Sequence, residues 1–191
     1  MKRISLLNTA HDLLSDILKP GDITIDATVG NGHDTLFLAG QITPSGQVFG
    51  FDIQQQAIDS TRDKLQHNAL SDCLTLFHSS HLEMAEKIPA HLHGNIKAIM
   101  FNLGYLPGGD KSLITQATST LTALNIACQL LTTNGVITVL AYPGHPGGDR
   151  ETGLIKDWCG QLNAEQFAVS TLYSTEPKDT APRLFVIRKH R

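Results

Sequence analysis

Three cysteines in 191 residues are too few for a disulfide framework, and Cys73, Cys128 and Cys159 stand far apart, without the paired spacing of a zinc site. They read as buried thiols in a reducing cytoplasm. The chain has no run of the roughly 18 to 20 apolar residues that span a bilayer. Met1 to Leu7 starts basic and apolar, but His11, Asp12 and Asp16 interrupt it before a secretory core can form. A soluble, cytoplasmic protein without a membrane partner is expected. Excess positive charge is also missing: 15 Lys and Arg against 18 Asp and Glu give a net charge of −3. The fold is therefore no polycation drawn to any phosphate backbone, and a nucleic-acid substrate would need a local patch. The best candidate is the C-terminal run Arg183 to Arg191, which Lys2 and Arg3 could extend, although such tails are usually solvated ends. His91 and His93 lack a third ligand, so no metal is expected. Repeats, low-complexity tracts and linkers are absent as well.

What is present fits one α/β domain covering residues 1–191, with 41% apolar residues to cover both faces of a central sheet. Strand and helix patterns alternate from end to end, the mark of a mostly parallel sheet with helices on both faces. An amphipathic N-terminal helix over 5–18 stops at Pro20-Gly21. Strands are expected near 22–27, 47–51, 73–77, 96–101 and 135–141. Helices are expected near 33–41, 54–68, 81–88, 112–132 and 149–163, with Asn134-Gly135 as a helix stop. The segments 167–173 and 183–187 suit an antiparallel hairpin at one sheet edge. Seven strands closed by such a hairpin form the layout of class I methyltransferases, a Rossmann-like fold.

Ile25 to Thr35 carries the most chemistry. A buried strand bearing Asp26 runs into a glycine turn, Gly30-Asn31-Gly32, that opens a helix at His33-Asp34-Thr35. The next strand, Val48 to Phe51, ends in Asp52, where a carboxylate can accept both hydroxyls of a ribose. The turn lacks the third glycine required for close packing around a pyrophosphate, so a nucleoside cofactor without phosphates fits better than a dinucleotide. S-adenosylmethionine is such a cofactor. Gly30 and Gly32 let the backbone approach it, Asn31 and Asp34 can bond its amino-acid end, and Asp26 can bind its ammonium directly or through water. Taken alone, Asn-Gly is also an ordinary turn and Asp34 an ordinary first-turn acid.

The remaining candidates follow later strands. Within His78-Ser79-Ser80-His81, Ser80 suits either a contact with the adenine ring or a helix N-cap whose capping box Glu83 completes. The fourth strand ends in Asn102-Leu103-Gly104-Tyr105, which has the outline of the Asp/Asn-Pro-Pro-Tyr/Phe turn of amino methyltransferases but lacks both prolines. A flexible alkyl amine suits that departure better than a planar base amine, while a plain glycine-rich connection is the bland alternative. The fifth strand leads into Tyr142-Pro143-Gly144-His145, where Tyr142 or His145 could take or relay a proton or simply form the turn.

The segments Asp26 to Thr35, Gly50 to Gln54, Asn102 to Lys111 and Tyr142 to Gly148 together resemble the MnmM (YtqB) family, whose members were long labelled rRNA methylases. The resemblance covers nearly the full length. It implies a tRNA methyltransferase acting on the amine of 5-aminomethyl-2-thiouridine at wobble position 34, with the anticodon stem-loop as partner. It also implies that Asn31, Asp34, Asp52, Gln54, Ser80 and His81 line the cofactor site. Asn102, Tyr105, Asp110, Tyr142, His145 and Arg183 fall on the substrate side, and a homodimer enters by resemblance only. Competing readings are methylation of an rRNA base or small amine, a nicotinamide-dependent dehydrogenase, and a non-catalytic RNA-binding module.

Overall fold

The computed structural model describes residues 5–104, 117–144, 146–174 and 181–190. Tyr105, Asp110 and His145 lie outside them. Ser5 caps the first helix, α1 (Leu6–Ser15), its hydroxyl accepting from the Asn8 backbone at 3.3 Å. Leu6, Ala10 and Leu14, four residues apart, form its buried stripe. The rest alternates: β1 (Ile23–Asp26), α2 (His33–Ile42), β2 (Gln47–Asp52), α3 (Gln55–His67), β3 (Leu74–His78), α4 (Met84–Lys87), β4 (Ile96–Asn102), α5 (Ala117–Leu130), β5 (Leu131–Ala141), α6 (Gly148–Gln161), β6 (Phe167–Tyr173) and β7 (Arg183–Lys189).

The seven strands lie in the order β3-β2-β1-β4-β5-β7-β6. The first five are parallel, and β7 enters antiparallel between β5 and β6. Burial follows this order. β2 and β4 are apolar almost throughout because helices cover both of their faces, whereas β6, at the edge, is half exposed. Alternation along β7 shows the two layers of core. Phe185 and Ile187 join Phe51, Phe101, Leu124 and Ile155 on one side, while Leu184 and Val186 join Leu6, Leu14, Leu38 and Ile42 on the other. This is the class I methyltransferase architecture expected from the sequence.

Two boundaries differ. Asn134-Gly135 does not stop a helix: α5 already ends at Leu130, and Leu131 pairs with Ile96 before the ladder breaks and resumes at Ala98 with Val136. The pair forms a kink inside β5, with Asn134 at φ +60° and a Cβ on Gly135 only 2.7 Å from Leu131 Cγ. The segment expected as one helix over 81–88 begins instead as a 3-10 turn, His81–Glu83, before α4. In that tighter turn the Ser80 hydroxyl accepts from the Leu82 amide at 3.3 Å, and the Glu83 amide goes to the Ser80 carbonyl. Ser80 thus caps as expected, its hydroxyl taking the Leu82 amide rather than that of Glu83.

Candidate active site

Strand order reverses between β1 and β4, which opens a crevice at their carboxyl ends. The glycine turn stands at one lip. Its backbone is left-handed at Gly30 (φ +52°) and Gly32 (φ +73°). At Gly32 a Cβ would come within 2.5 Å of Thr61 Oγ1, so α3 packs directly under the turn. Thr61 donates to the Gly30 carbonyl at 3.3 Å, and the Lys64 ammonium donates to the Asn31 carbonyl. Asp52 ties the turn to β2, one carboxylate oxygen accepting from the Gly30 amide and the other from the Gln54 amide, each at 2.9 Å. Each oxygen keeps a second lone pair, which leaves capacity for a ribose hydroxyl.

Asp26 lies deeper than a direct ligand would. It is fully buried, one oxygen accepting from the Thr28 amide at 3.1 Å and the other from the Thr35 hydroxyl at 2.6 Å. Burial, with the nearby Asp34 carboxylate, lifts its pKa from 3.8 to about 7 against the opposing pull of Thr35 and Thr28. In this structure it braces the turn from beneath through those two bonds.

Asp34 connects the two lips. Its Oδ2 accepts from the Asn102 carboxamide Nδ2 at 3.3 Å, while its Oδ1 lies 2.7 Å from His11 Nε2. Thr28 completes the connection, its hydroxyl accepting from the Asn102 backbone at 2.7 Å. Thus β1, α2 and β4 converge on Asn102, the first residue of the turn with the amino-methyltransferase outline. Tyr142 faces the same region from the end of β5, 37% exposed. Burial and, after it, the Asp34 carboxylate raise its phenol above the usual value. A phenol raised in this way keeps its proton at neutral pH and can offer it in a hydrogen bond. Beside it opens a cavity of about 310 Å³ lined by Ser5, Leu6, Leu7, Leu140, Tyr142, Ser174 and Pro182.

His81 is buried, its ring edge-on to Phe101 at 5.9 Å. Desolvation lowers its pKa despite the Ala27 carbonyl and Asp52, so the ring is neutral. The basic run at the C-terminus is not a tail. It forms β7, whose antiparallel course sets Arg183 beside Ala141 at the crevice end and Lys189 at the far end of the sheet. Arg183 stands over the Tyr173 ring at 5.7 Å. Lys189 donates to the carbonyls of Cys128 and Leu131, where α5 ends. Of the described basic residues of this run, Arg183 is the one at the crevice end of β7.

Three residues not singled out from the sequence belong here. His11 touches Asp34 from α1, and no local pattern signals it. Ile53 and Leu82 are exposed apolar side chains, 54% and 37%, the first directly after β2 and the second in the 3-10 turn that follows β3. An exposed isoleucine directly after the ribose-type carboxylate is a signal the sequence does carry.

A family model described as "Putative rRNA methylase" matches residues 48–188. The chain belongs to that family. A protein of Arabidopsis thaliana named "tRNA (mnm(5)s(2)U34)-methyltransferase, chloroplastic" is 39% identical over 155 residues, 77% of this chain and 56% of that protein. The chain therefore spans little more than half of that relative. A family structure from Clostridium thermocellum superposes with a TM-score of 0.92 at 38% identity, covering 99% of this chain and 100% of that one. A protein from Streptococcus mutans, described as a methyltransferase and solved in complex with SAH, gives a TM-score of 0.85 at 33% identity, covering 97% and 98%.

Proposed function

We propose that this chain transfers a methyl group from S-adenosylmethionine to the amine of 5-aminomethyl-2-thiouridine at tRNA position 34, giving 5-methylaminomethyl-2-thiouridine. The observation that carries the reading is the convergence on Asp34, which joins a nucleoside-type donor turn to the Asn102 carboxamide at hydrogen-bonding distance. The likeness to the Arabidopsis methyltransferase supports the choice of acceptor. The residues present suit the cofactor: Asp52 has lone pairs for a ribose, Ile53 and Leu82 offer apolar surface for an adenine, and Gly30 and Asn31 can face its amino-acid end. No phosphate-binding third glycine is needed.

When bound, S-adenosylmethionine supplies a sulfonium methyl group that a lone pair displaces in line. The chain's part is alignment and exclusion of water. Asn102 Oδ1 accepts an N–H of the acceptor amine and so aims the nitrogen lone pair, while the protonated Tyr142 hydroxyl offers a hydrogen bond at the rim. The amine must arrive neutral, because an alkylammonium has no lone pair. As the N–C bond forms and the S–C bond breaks, the nitrogen takes the positive charge, and the resulting secondary ammonium gives its proton to solvent. Arg183, and from outside the described residues Tyr105, Asp110 and His145, belong to the substrate side of this proposal. Cytoplasmic location and a homodimer complete it. No helix among the described residues is long and apolar enough to cross a membrane.

The test is methyl transfer from labelled cofactor to tRNA purified from cells lacking the final methyl group, followed by nucleoside mass spectrometry. The expected product is 5-methylaminomethyl-2-thiouridine. The family description favours rRNA as a second acceptor. Labelling of rRNA with none of tRNA would replace the first reading by that one. Light scattering on the purified protein reads the oligomeric state.

A further inference from the structure

The N-terminal helix reaches Asp34 through His11. His11 leaves α1 with its ring stacked on Phe37, centroids 3.9 Å apart and planes within 3°. Its Nε2 meets Asp34 Oδ1 at 2.7 Å, with Asp34 almost fully buried. The other Asp34 oxygen accepts from Asn102 Nδ2 at 3.3 Å. A carboxylate only accepts hydrogen bonds, so the nitrogens facing it must both carry hydrogen. That settles the Asn102 carboxamide with Nδ2 toward Asp34 and Oδ1 turned away from it.

The two bonds differ in strength. At 2.7 Å the His11 contact is at the short, charge-assisted end of the range, while 3.3 Å is at the long end. The short bond sets the carboxylate and the long one follows it. We infer that His11 is a positioning residue for the acceptor, holding Asp34 so that Asn102 presents its Oδ1 to the incoming amine. The inference rests on the proposed methyl transfer to an amine. Docking of α1 does not need His11, because Leu6, Ala10 and Leu14 already bury the helix against the core.

Two readouts test this, with His11→Ala and His11→Gln, whose amide nitrogen can replace Nε2 as a donor. The first is independent of any acceptor: the Asn102 side-chain amide in a nitrogen-15 spectrum, assigned by its loss in Asn102→Asp. In the wild type and His11→Gln one Nδ2 proton is expected downfield and protected from solvent exchange, and in His11→Ala both protons are expected at the shifts and exchange rate of a free carboxamide. The second is turnover on tRNA, where His11→Ala should lower kcat at least tenfold, leave the tRNA KM and the cofactor Kd within about threefold, and be restored to within about threefold by His11→Gln. An unchanged Asn102 signal in His11→Ala overturns the inference. So does an unchanged kcat, a parallel loss of cofactor affinity, or failure of glutamine to restore turnover. If the wild type methylates no tRNA, the functional reading fails separately, and the amide signal still decides whether His11 orients Asn102.

Discussion

On the donor side of the crevice the two carboxylates and the glycine turn lie within one βαβ unit, and backbone amides hold the carboxylates: those of Gly30 and Gln54 grip Asp52 while the Thr28 amide grips Asp26. On the acceptor side the groups come from α1, α2, β4 and β5, and side chains do the holding, through His11, Asp34 and Asn102. The donors of these bonds are backbone amides of adjacent elements, so the fold fixes one partner of each before any side chain is placed. Side-chain bonds across four elements depend on each partner, so the acceptor half is the one a single substitution can disable. Asp34 is where the halves meet.

The largest expected effect separates the two directly. Asn102→Ala removes the carboxamide that Asp34 aligns but leaves the Asp52 cradle intact. We expect kcat on tRNA to fall about 100-fold or more, on the scale of losing one well-placed polar group in an active site, with the cofactor Kd unchanged within about threefold by calorimetry. Equal losses in both would show that the halves are one unit.

A smaller effect comes from breaking the donor half through its backbone. Gly32→Ala forces a side chain onto φ +73° and into Thr61. We expect a loss of about 2 to 3 kcal/mol in urea unfolding, together with weaker cofactor binding. Adding Thr61→Ala removes the collision but not the backbone strain, so it should restore only part of the loss. Full restoration would mean that space, not conformation, selects glycine here.

The same contrast explains what was legible in the sequence. Asp26, the glycine turn, Asp34 and Asp52 could be read because β1, the turn, α2 and β2 follow each other along the chain and each residue type answers a local need. The edge hairpin could be read from alternation. His11 could not be read, because its partner lies 23 residues away on another helix and an α1 histidine beside a leucine stripe looks like a surface residue. The basic C-terminus misled for a related reason: composition records charge but not the antiparallel course that sends Arg183 to the crevice and Lys189 away from it. Asn134-Gly135 reads equally well as a helix stop or as a strand kink, and the pairing of Leu131 with Ile96 decides between them. What the spacing does not show is how deep Asp26 lies below the turn.

That depth gives a pH test of the donor half. The Asp26 pKa is raised from 3.8 to about 7, chiefly by burial. Its protonated form is therefore favoured in the folded state, so its contribution to stability is fully present below about pH 3.8 and is lost as pH rises through 7. Asp26→Asn keeps an acceptor for the Thr28 amide and does not titrate, and the Thr35 hydroxyl, which donates to Asp26 in the wild type, can rotate to accept from the new Nδ2. We expect the variant to lose this part of the decline in stability between pH 4 and 7, on the order of 2 kcal/mol once the coupling to Asp34 is allowed for. The slope ∂ΔG/∂pH from urea titrations at several pH values measures it. An unchanged slope would place the titration elsewhere.

The smallest effect tests where the acceptor half ends. Lys189 caps the end of α5 by donating to the Cys128 and Leu131 carbonyls at 3.1 and 2.7 Å. Cations at a helix C-terminus contribute about 0.3 to 1 kcal/mol, and two hydrogen bonds from a charged donor add to that. Lys189→Met keeps most of the apolar stem and removes the charge. We expect a stability loss of about 1 kcal/mol, with the tRNA KM and its salt dependence unchanged, because six residues of strand, roughly 20 Å, separate position 189 from the crevice end of β7. Arg183→Met, at the other end of the same strand, should instead raise the tRNA KM and flatten its dependence on salt. If Lys189→Met flattens the salt dependence as much as Arg183→Met does, the RNA-binding surface continues along the whole of β7 and the acceptor half is not confined to the crevice.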